Sequence, residues 1–138
     1  MKDCPFCRRI ADGDVAHRSA LAAAFPDSYP LSEGHSLVVP IEHTADLFAA
    51  SSDTIAEVWA LVGMVRNDLV ERLHPDGMNV GLNSLEAAGQ TIAHAHVHVI
   101  PRFRGDVDDP RGGVRWVVPS KAPYWESREP DRSADASD

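Results

Sequence analysis

The sequence has 138 residues and a formal net charge of -8, and 43% of its residues are hydrophobic. This length favours one domain with its own core, and the acidic charge disfavours DNA or RNA partners, whose binding relies on neutralising many phosphates. No apolar run approaches the ~18 residues of a membrane span, and the amino terminus lacks the apolar segment of a secretory signal. We therefore expect a cytoplasmic protein without a membrane or nucleic-acid-polymer partner.

Cys4 and Cys7 are the two cysteines of the chain and form a C-x-x-C motif. In a reducing compartment this spacing indicates a thiolate metal site or a redox pair rather than a structural disulfide. Zinc would need two further ligands, and the chain has seven histidines to supply them. A short helix is predicted over Phe6–Ala11, with Phe6 and Ile10 on one face.

Short strands are predicted between the first helix and residue 40. His17 to Phe25 is apolar and predicts one or two short strands, and the prolines, serine and glycine of residues 26–34 predict a loop. Residues 35–39 predict a strand that Pro40 ends. His35, at the mouth of that strand, fits a site residue and a solvated strand end equally well.

The main helix is predicted over Thr54–Leu73, after the capping sequence Ser51-Ser52-Asp53. We expect Trp59 and Met64 to be packing residues of this helix. An apolar stripe recurs at helical spacing and consists of Ile55, Val58, Trp59, Val62, Val65, Leu69 and Leu73.

Two further strands and a tail are predicted in the second half of the chain. Met78–Leu82 alternates apolar and small or polar residues, and Val114–Val118 is rich in valine. From residue 126 onward the sequence is polar and charged without periodicity, which predicts disorder.

Three alternating histidines mark residues 93–102, which predict a strand ending near Pro101. In an extended chain successive side chains point to opposite faces. One face then carries His94, His96 and His98, and the other carries Ala95, Val97 and Val99. The histidines could ligate a metal, supply a nucleophile with supporting acid and base groups, or form a solvated patch.

These motifs resemble those of the histidine triad (HIT) superfamily over about residues 4–105. The resemblance implies an α+β domain with a HIT-like fold: an antiparallel sheet of about five strands with one long and one short helix, usually paired as a homodimer. We place the HIT domain at residues 1–125 and a disordered tail at 126–138. The matching motifs are His94-x-His96-x-His98 after Gly89-Gln90, Asp27-x-x-Pro30, Gly34-His35-x-Leu37-Val38-x-Pro40-x-x-His43 and Gly77-x-Asn79-x-Gly81-x-Asn83.

Proteins of this family hydrolyse or transfer nucleotides at the α-phosphate, and the resemblance implies that His96 is the nucleophile. An imidazole nitrogen that attacks phosphorus forms a nucleotidyl-histidine, which water then cleaves, so that one difficult displacement becomes two easier ones. His98 and His35 are the implied supporting catalytic residues. Asp27 is implied to accept from the ribose hydroxyls. The implied nucleotide-binding set is Phe6, Phe25, Asp27, Asn83, Gln90, Thr91 and His98.

A subset of bacterial family members binds a structural zinc ion, and the resemblance assigns it here to Cys4, Cys7, His43 and His94. Such a Cys2His2 set is closed, with no open position for water, and would bind one zinc per chain. A metal-bound His94 could not shuttle protons. The competing arrangement, zinc on all three triad histidines, would occupy the nucleophile.

The substrate branch is suggested by local departures. Thr91 and the segment 111–119 resemble diadenosine tetraphosphate hydrolases, whereas the Trp-Pro carboxy terminus of the phosphoramidase branch is absent. We therefore expect a hydrolase of a dinucleoside polyphosphate, an adenine one, with a purine nucleoside phosphoramidase, a nucleotidylyltransferase and a non-catalytic nucleotide-binding regulator as alternatives. Leu85 stands where many relatives have glycine, which predicts a different loop path over the phosphates.

Overall fold

The computed structural model describes residues 3–126. The chain divides into two compact units, one up to Arg104 and one from Gly105 onward. Apart from Glu126, the predicted tail lies outside the described residues. The placement of the domain end at residue 125 stays a prediction.

The first unit is an α+β fold, as predicted. The short helix, the long helix and the strands before the histidines all lie within two residues of their predicted bounds. Single 3-10 turns at Leu47–Ala49 and Glu86–Ala88 lie in the connections. The elements are α1 Pro5–Ala11, β1 His17–Arg18, β2 Ala22–Pro26, β3 Ser36–Pro40, α2 Ser52–Leu73, β4 Gly77–Gly81 and β5 Val97–Arg102.

The five strands form one antiparallel sheet in the order β1-β2-β3-β5-β4. The last strand of the chain, β5, is therefore inserted between β3 and β4. His98 is paired with Leu37 on β3 and with Gly81 on β4. This pairing places the end of the histidine motif in the middle of the sheet.

The sheet has a hydrophobic cluster on each face, because alternate residues of each strand point in opposite directions. On one face α2 contributes five buried side chains, Val58, Leu61, Val62, Val65 and Leu69, and the sheet side contributes Ala22, Ala24, Val38, Ala95, Val97 and Val99. On the other face the cluster consists of Cys4, Phe6, Ile10, Ala23, Phe25, Leu37 and Val39. The long helix thus covers one face, and the amino-terminal helix packs on the face that carries the histidines.

Helix α2 begins and ends as its sequence predicts. The Ser51 side chain accepts a hydrogen bond from the Thr54 amide, and His74 ends the helix in a left-handed conformation. The packing prediction is wrong for Trp59 and Met64, which are 38% and 62% exposed. Both lie off the stripe that faces the sheet, because neighbouring helical residues are 100° apart. Among the described residues, no helix has both the length and the apolar character needed to cross a membrane.

The histidine strand is shorter than predicted, since β5 begins at Val97 and leaves His94 and His96 before it. The register of β3 with β5 would pair Pro40 with Ala95. Proline has no N–H to donate, so the ladder stops. The Ala95 amide instead donates to the Thr44 carbonyl at 2.7 Å. The alternation of faces nevertheless persists, because Ala95, like Val97, is buried in the cluster under α2.

The second unit contains 3-10 turns at Gly113–Val117, Pro119–Lys121 and Tyr124–Glu126 among its described residues. The strand predicted over Val114–Val118 is therefore wrong. Backbone amides in this segment bond locally, as in the 2.8 Å bond from the Arg115 amide to the Gly112 carbonyl. Valine favours strands only when a neighbouring strand pairs with it.

Candidate active site and metal centre

A cavity of about 680 Å³ opens on the face of the sheet that carries α1. It brings together seven of the residues predicted to act in catalysis or nucleotide binding. Phe25 does not line it but is buried behind Phe6, with ring centroids 5.3 Å apart. The seven are Phe6, Asp27, His35, Asn83, Thr91, His96 and His98, and apolar lining comes from Pro5, Leu31, Leu37 and Ile92.

Gln90 holds the loop before the triad and does not line this cavity. The Nε2 of its side-chain amide donates to the Ala45 carbonyl at 2.8 Å and to the Ile92 carbonyl at 3.0 Å. Its Oε1 accepts from the Leu85 amide at 2.8 Å. Both amide donors are thus bonded to backbone, and a contact of Gln90 with a phosphate stays a prediction.

The His96 ring has a fixed orientation and a fixed tautomer. Its Nδ1 lies 2.8 Å from the His94 carbonyl oxygen, which can only accept, so Nδ1 carries the hydrogen. In the neutral ring the lone pair is then on Nε2. The side chain is only 8% exposed, and Phe6 packs edge-on against it at 5.1 Å between ring centroids. His96 therefore offers one nucleophilic nitrogen in a constrained position.

His35 and His98 form a directional hydrogen-bond chain. The Leu31 amide donates to His35 Nδ1 at 3.0 Å, so the hydrogen of the neutral His35 ring is on Nε2. That Nε2–H donates to His98 Nδ1 at 2.9 Å. His98 must then carry its own hydrogen on Nε2, the ring nitrogen not bonded to His35. A backbone amide thus makes His98 a hydrogen-bond donor in the cavity that it lines.

Asp27 stands beside this chain. Its Oδ2 lies 3.4 Å from His35 Nε2 and 3.9 Å from His98 Nδ1, and its Oδ1 accepts from the Tyr29 amide at 2.8 Å. Asp27, His35 and His98 could together hold a cation. Metal on His35 Nε2 would, however, move the ring hydrogen to Nδ1, against the Leu31 amide. The orientation of that amide favours a hydrogen-bond network over a metal site.

Burial lowers the pKa of both His35 and His98, and the nearby carboxylate of Asp27 opposes the shift only in part. A histidine with a lowered pKa binds fewer protons in the folded state than in the unfolded chain just below its ordinary pKa of about 6.5. Stability is then fully present above that pH and is lost as the pH falls. Both rings are neutral at pH 7, as the chain of donors requires.

We predict that the melting temperature falls between pH 7.5 and pH 5.5, and that His35→Gln reduces the slope. The amide of glutamine can still donate towards His98 but takes up no proton. Thermal melts of both proteins across this range, followed by circular dichroism, measure the difference. Equal slopes in the two proteins would contradict the assignment of acid sensitivity to His35.

The amino-terminal motif and two histidines form a second cluster. The His94 Nδ1 atom lies 3.4 Å from Cys4 Sγ and 3.5 Å from Cys7 Sγ, and His43 Nδ1 lies 3.4 Å from Cys7 Sγ. Tetrahedral zinc with bonds of about 2.3 Å to sulfur and about 2.0 Å to nitrogen places such atoms about 3.5 Å apart. All four ligand atoms lie within 4.8 Å of one another. The cluster has the donors and the spacing to hold a metal ion.

A backbone carbonyl orients the His94 ring for this role. His94 is fully buried, and its Nε2–H donates to the Pro40 carbonyl at 2.8 Å, which leaves the Nδ1 lone pair facing the thiols. His98 Nδ1 instead faces His35. Because these two histidines point their nitrogens at different partners, the structure argues against a metal shared by all three triad histidines.

Leu85 has a strained backbone in the loop beside the cavity, with φ 71° and ψ 169°. A glycine adopts this region at little cost, whereas a side chain there costs about 1–3 kcal/mol. The loop can therefore keep leucine at this position with a strained backbone. The presence of Leu85 does not by itself require the loop to follow a path different from that of relatives with glycine.

We predict that Leu85→Gly stabilises the protein by about 1 kcal/mol, the relieved strain less the added entropy of the unfolded chain. The matched control is Glu86→Gly, which follows it in the 3-10 turn Glu86–Ala88 and has no positive φ. This control should lose about 0.5–1 kcal/mol. Urea unfolding measures both variants, and the same sign for both would contradict local strain at Leu85.

Arg9 is the charged residue of this cavity that the sequence analysis missed. It lines the wall, and its guanidinium lies 4.2 Å from the Phe25 ring centroid. Arg9 follows Phe6 by three positions on α1, which puts the two side by side on one face of the helix. This spacing from Phe6 was the one signal in the sequence that could have identified Arg9 as a residue of the site.

Comparison with known proteins gives a consistent result. The profile of the HIT domain family matches residues 8–105, and this match ends where the first compact unit ends. Adenosine 5'-monophosphoramidase hnt1 of Schizosaccharomyces pombe is 36% identical over 103 residues, 72% of this chain and 74% of that protein. AP-4-A phosphorylase of Mycobacterium tuberculosis is 36% identical over 98 residues, 70% of this chain and 50% of that protein. A Zn-bound histidine triad family protein from Mycobacterium smegmatis superposes with a TM-score of 0.69 at 35% identity, covering 76% of this chain and 78% of that one.

Proposed function

This chain belongs to the HIT domain family, and from that premise we propose that it hydrolyses a dinucleoside polyphosphate at the α-phosphate through a covalent intermediate on His96. The observation that carries the proposal is the tautomer of His96, whose Nε2 lone pair is fixed beside a hydrogen-bond donor on His98. The two rings lie 5.2 Å apart between centroids. A phosphate in the cavity would meet a nucleophile and a donor together.

The reaction follows from these two nitrogens. His96 Nε2 forms a bond to the α-phosphorus while the bond from phosphorus to the bridging oxygen breaks, and the second nucleotide leaves with that electron pair. Water then attacks the same phosphorus, the P–Nε2 bond breaks, and the nucleoside monophosphate is released. His98 Nε2–H donates to the phosphate oxygens, where charge develops in each step. Asn83, which lines the same cavity, is a second donor.

In this proposal the nucleoside lies beside the triad in the same cavity, because Asp27 is next to His98 and Phe6 packs against His96. Asp27 accepts from the ribose hydroxyls, in line with its position between the histidines and the loop that carries Tyr29. The base packs on the apolar lining of Pro5, Phe6 and Ile92. An apolar pocket with a few oriented polar groups is the usual form of such a site.

We also propose one structural zinc ion per chain at Cys4, Cys7, His43 and His94. When bound, the metal supplies a crosslink between the start of α1 and the triad segment. Phe6 on α1 packs edge-on against His94 at 5.7 Å and against His96 at 5.1 Å between ring centroids. Fixing α1 thus fixes the ring that holds His96 in place.

A cytoplasmic homodimer is proposed as the form of the protein. Strand β4 is at one edge of the sheet, where its outer side can pair with a second copy. Two large side chains of α2, Trp59 and Met64, are exposed and would gain from burial. Light scattering during size exclusion gives the mass, and a monomer at micromolar concentration would refute this assembly.

A purine nucleoside phosphoramidase is the second candidate, and the charge of the site favours it. Arg9 is the one arginine or lysine among the residues that line the cavity. A neighbouring pocket, which shares Gly89 and Thr91 with this cavity, is lined in part by Glu86. A polyphosphate leaving group carries several negative charges and would be repelled by a carboxylate, whereas an amine would not.

Product analysis distinguishes the candidates. The protein is incubated with diadenosine tetraphosphate and, separately, with adenosine phosphoramidate, in water enriched in oxygen-18, and the products are separated by chromatography. The proposed hydrolase releases AMP with one labelled oxygen and ATP from the tetraphosphate. Faster release of AMP from the phosphoramidate would establish the phosphoramidase. Binding of either compound without turnover would instead support the non-catalytic nucleotide-binding regulator.

A further inference from the structure

A continuous wall of rings connects the nucleophile to Arg9. The centroid of the Phe6 ring lies 5.1 Å from that of His96 and 5.3 Å from that of Phe25. The Arg9 guanidinium lies over the far ring, 4.2 Å from the Phe25 centroid. Phe25 is buried behind Phe6, whereas Arg9 lines the same cavity as Phe6 and His96. A nucleotide whose phosphate is at His96 and whose base packs on Phe6 therefore has the guanidinium in the same cavity.

The Arg9 side chain is held in place by three contacts. Its Nε donates to Asp14 Oδ2 at 3.1 Å, its Nη1 donates to the Pro26 carbonyl at 2.8 Å, and its guanidinium stacks on Phe25. Pro26 directly precedes Asp27, the proposed ribose-binding residue, so the guanidinium stands next to the nucleoside site. The side chain is 22% exposed. A guanidinium that is already ordered loses little entropy when it binds a ligand.

Donors of this guanidinium are still available to a ligand. Arginine has five N–H groups and no acceptor. Within the described part of the chain, the hydrogen bonds of Arg9 start from Nε and Nη1, and none starts from Nη2. Because arginine can only donate, the guanidinium favours bases that present acceptors to it.

Purines differ at the edge that this group would meet. Guanine presents two adjacent acceptors, O6 and N7, which arginine binds through two hydrogen bonds. Adenine presents N7 beside the N6 amino group, which is itself a donor and would face the guanidinium. The two bases therefore differ at this edge in one group, since guanine has the acceptor O6 where adenine has the N6 amino donor.

We propose that Arg9 determines base specificity and that the preferred substrate carries guanine, or another 6-oxopurine, instead of adenine. This inference rests on the proposed nucleotide site and changes the adenine expectation for that site. A good two-bond contact discriminates between bases by about 1–3 kcal/mol, which corresponds to a preference of about 5- to 160-fold.

The experiment compares kcat/KM for guanosine and adenosine substrates with the same leaving group, both as tetraphosphates and as phosphoramidates. We expect the guanosine compound to be favoured about tenfold or more. Arg9→Met keeps an unbranched side chain but no donor, and we expect the preference to disappear because the guanosine rate falls. Inosine substrates, which keep O6 and N7 but lack the 2-amino group, should behave like guanosine.

The matched control is Arg8→Met, which removes the same charge from the same helix at an exposed position. It should leave the base preference unchanged. An adenosine preference in the wild-type protein, or the same preference in Arg9→Met, would overturn the inference, since Arg9 would then only support Phe25. If no substrate is turned over, the proposed hydrolase fails on its own, and calorimetric Kd values for GMP and AMP decide the specificity instead.

Discussion

Replacing His96 with alanine is expected to lower kcat by about 10⁴-fold or more on whichever nucleotide the protein cleaves. The substitution removes the atom that forms the bond to phosphorus, and removal of a nucleophile typically has an effect of this size. Nucleotide affinity should change only a few-fold, because Asp27, His98 and the apolar lining remain. Single-turnover assays and calorimetric binding measure the two effects separately.

A chemical rescue sharpens this experiment. His96→Gly leaves a cavity next to Phe6, which packs against the imidazole in the native protein. Added imidazole should enter that cavity, attack phosphorus and restore part of the turnover. The control is His98→Ala. This variant loses a hydrogen-bond donor and reacts more slowly, and added imidazole should not restore its turnover in the same way.

Two outcomes would contradict the proposed reaction. Full activity in His96→Ala would rule out the covalent route. An absence of turnover in the wild-type protein would support a protein that binds nucleotides without cleaving them.

The second large effect is expected at the cysteine cluster. Cys4→Ala should reduce bound zinc from about one ion per chain to a small fraction of that, because three remaining ligands hold zinc far more weakly. At a zinc concentration 100 to 1,000 times Kd, binding stabilises a fold by about 2.7–4.1 kcal/mol. We therefore expect stability to fall by about 3 kcal/mol and the melting temperature by about 10 °C. Metal analysis and thermal melts check the two quantities.

The control for this prediction compares the stability lost in the single cysteine variants with that lost in the double variant. Cys7→Ala should have a similar effect, and the double variant should be little worse than either single one, since the same ion is lost each time. A chelator should lower the melting temperature of the wild type to that of Cys4→Ala and should not change the variant. Wild-type protein purified without chelator that contains no metal would refute the zinc proposal.

Several parts of the molecule could be predicted from local sequence patterns. The period-two alternation around His96 fixes which side chains share a face, because pleat geometry acts on neighbouring residues. The apolar spacing of α2 and its Ser51 cap fix the long helix in the same way. The pattern was misleading over Val114–Val118, where strand-forming residues pair with no strand of the described part of the chain and Gly113–Val117 forms a 3-10 turn.

Only the tertiary structure decided the hydrogen-bond partners of the histidines. The chain of donors joins Leu31 and His35 to His98, which lies 63 residues further along the sequence. The tautomer of each ring depends on which distant backbone group approaches it, and residue spacing does not contain that information. The start of β5 was likewise decided by Pro40 on a neighbouring strand.

The sequence by itself thus predicted most of the helices and strands and the face that carries the histidines, and the family resemblance added the candidate metal ligands. The tertiary structure determined the hydrogen on each ring nitrogen and the position of Arg9, which lines the cavity and stacks on the Phe25 ring. The physical reason is the distance along the chain between the interacting residues. Periodicity and spacing record interactions between residues close in the chain, whereas the hydrogen on each ring nitrogen and the place of Arg9 depend on atoms that only folding brings together.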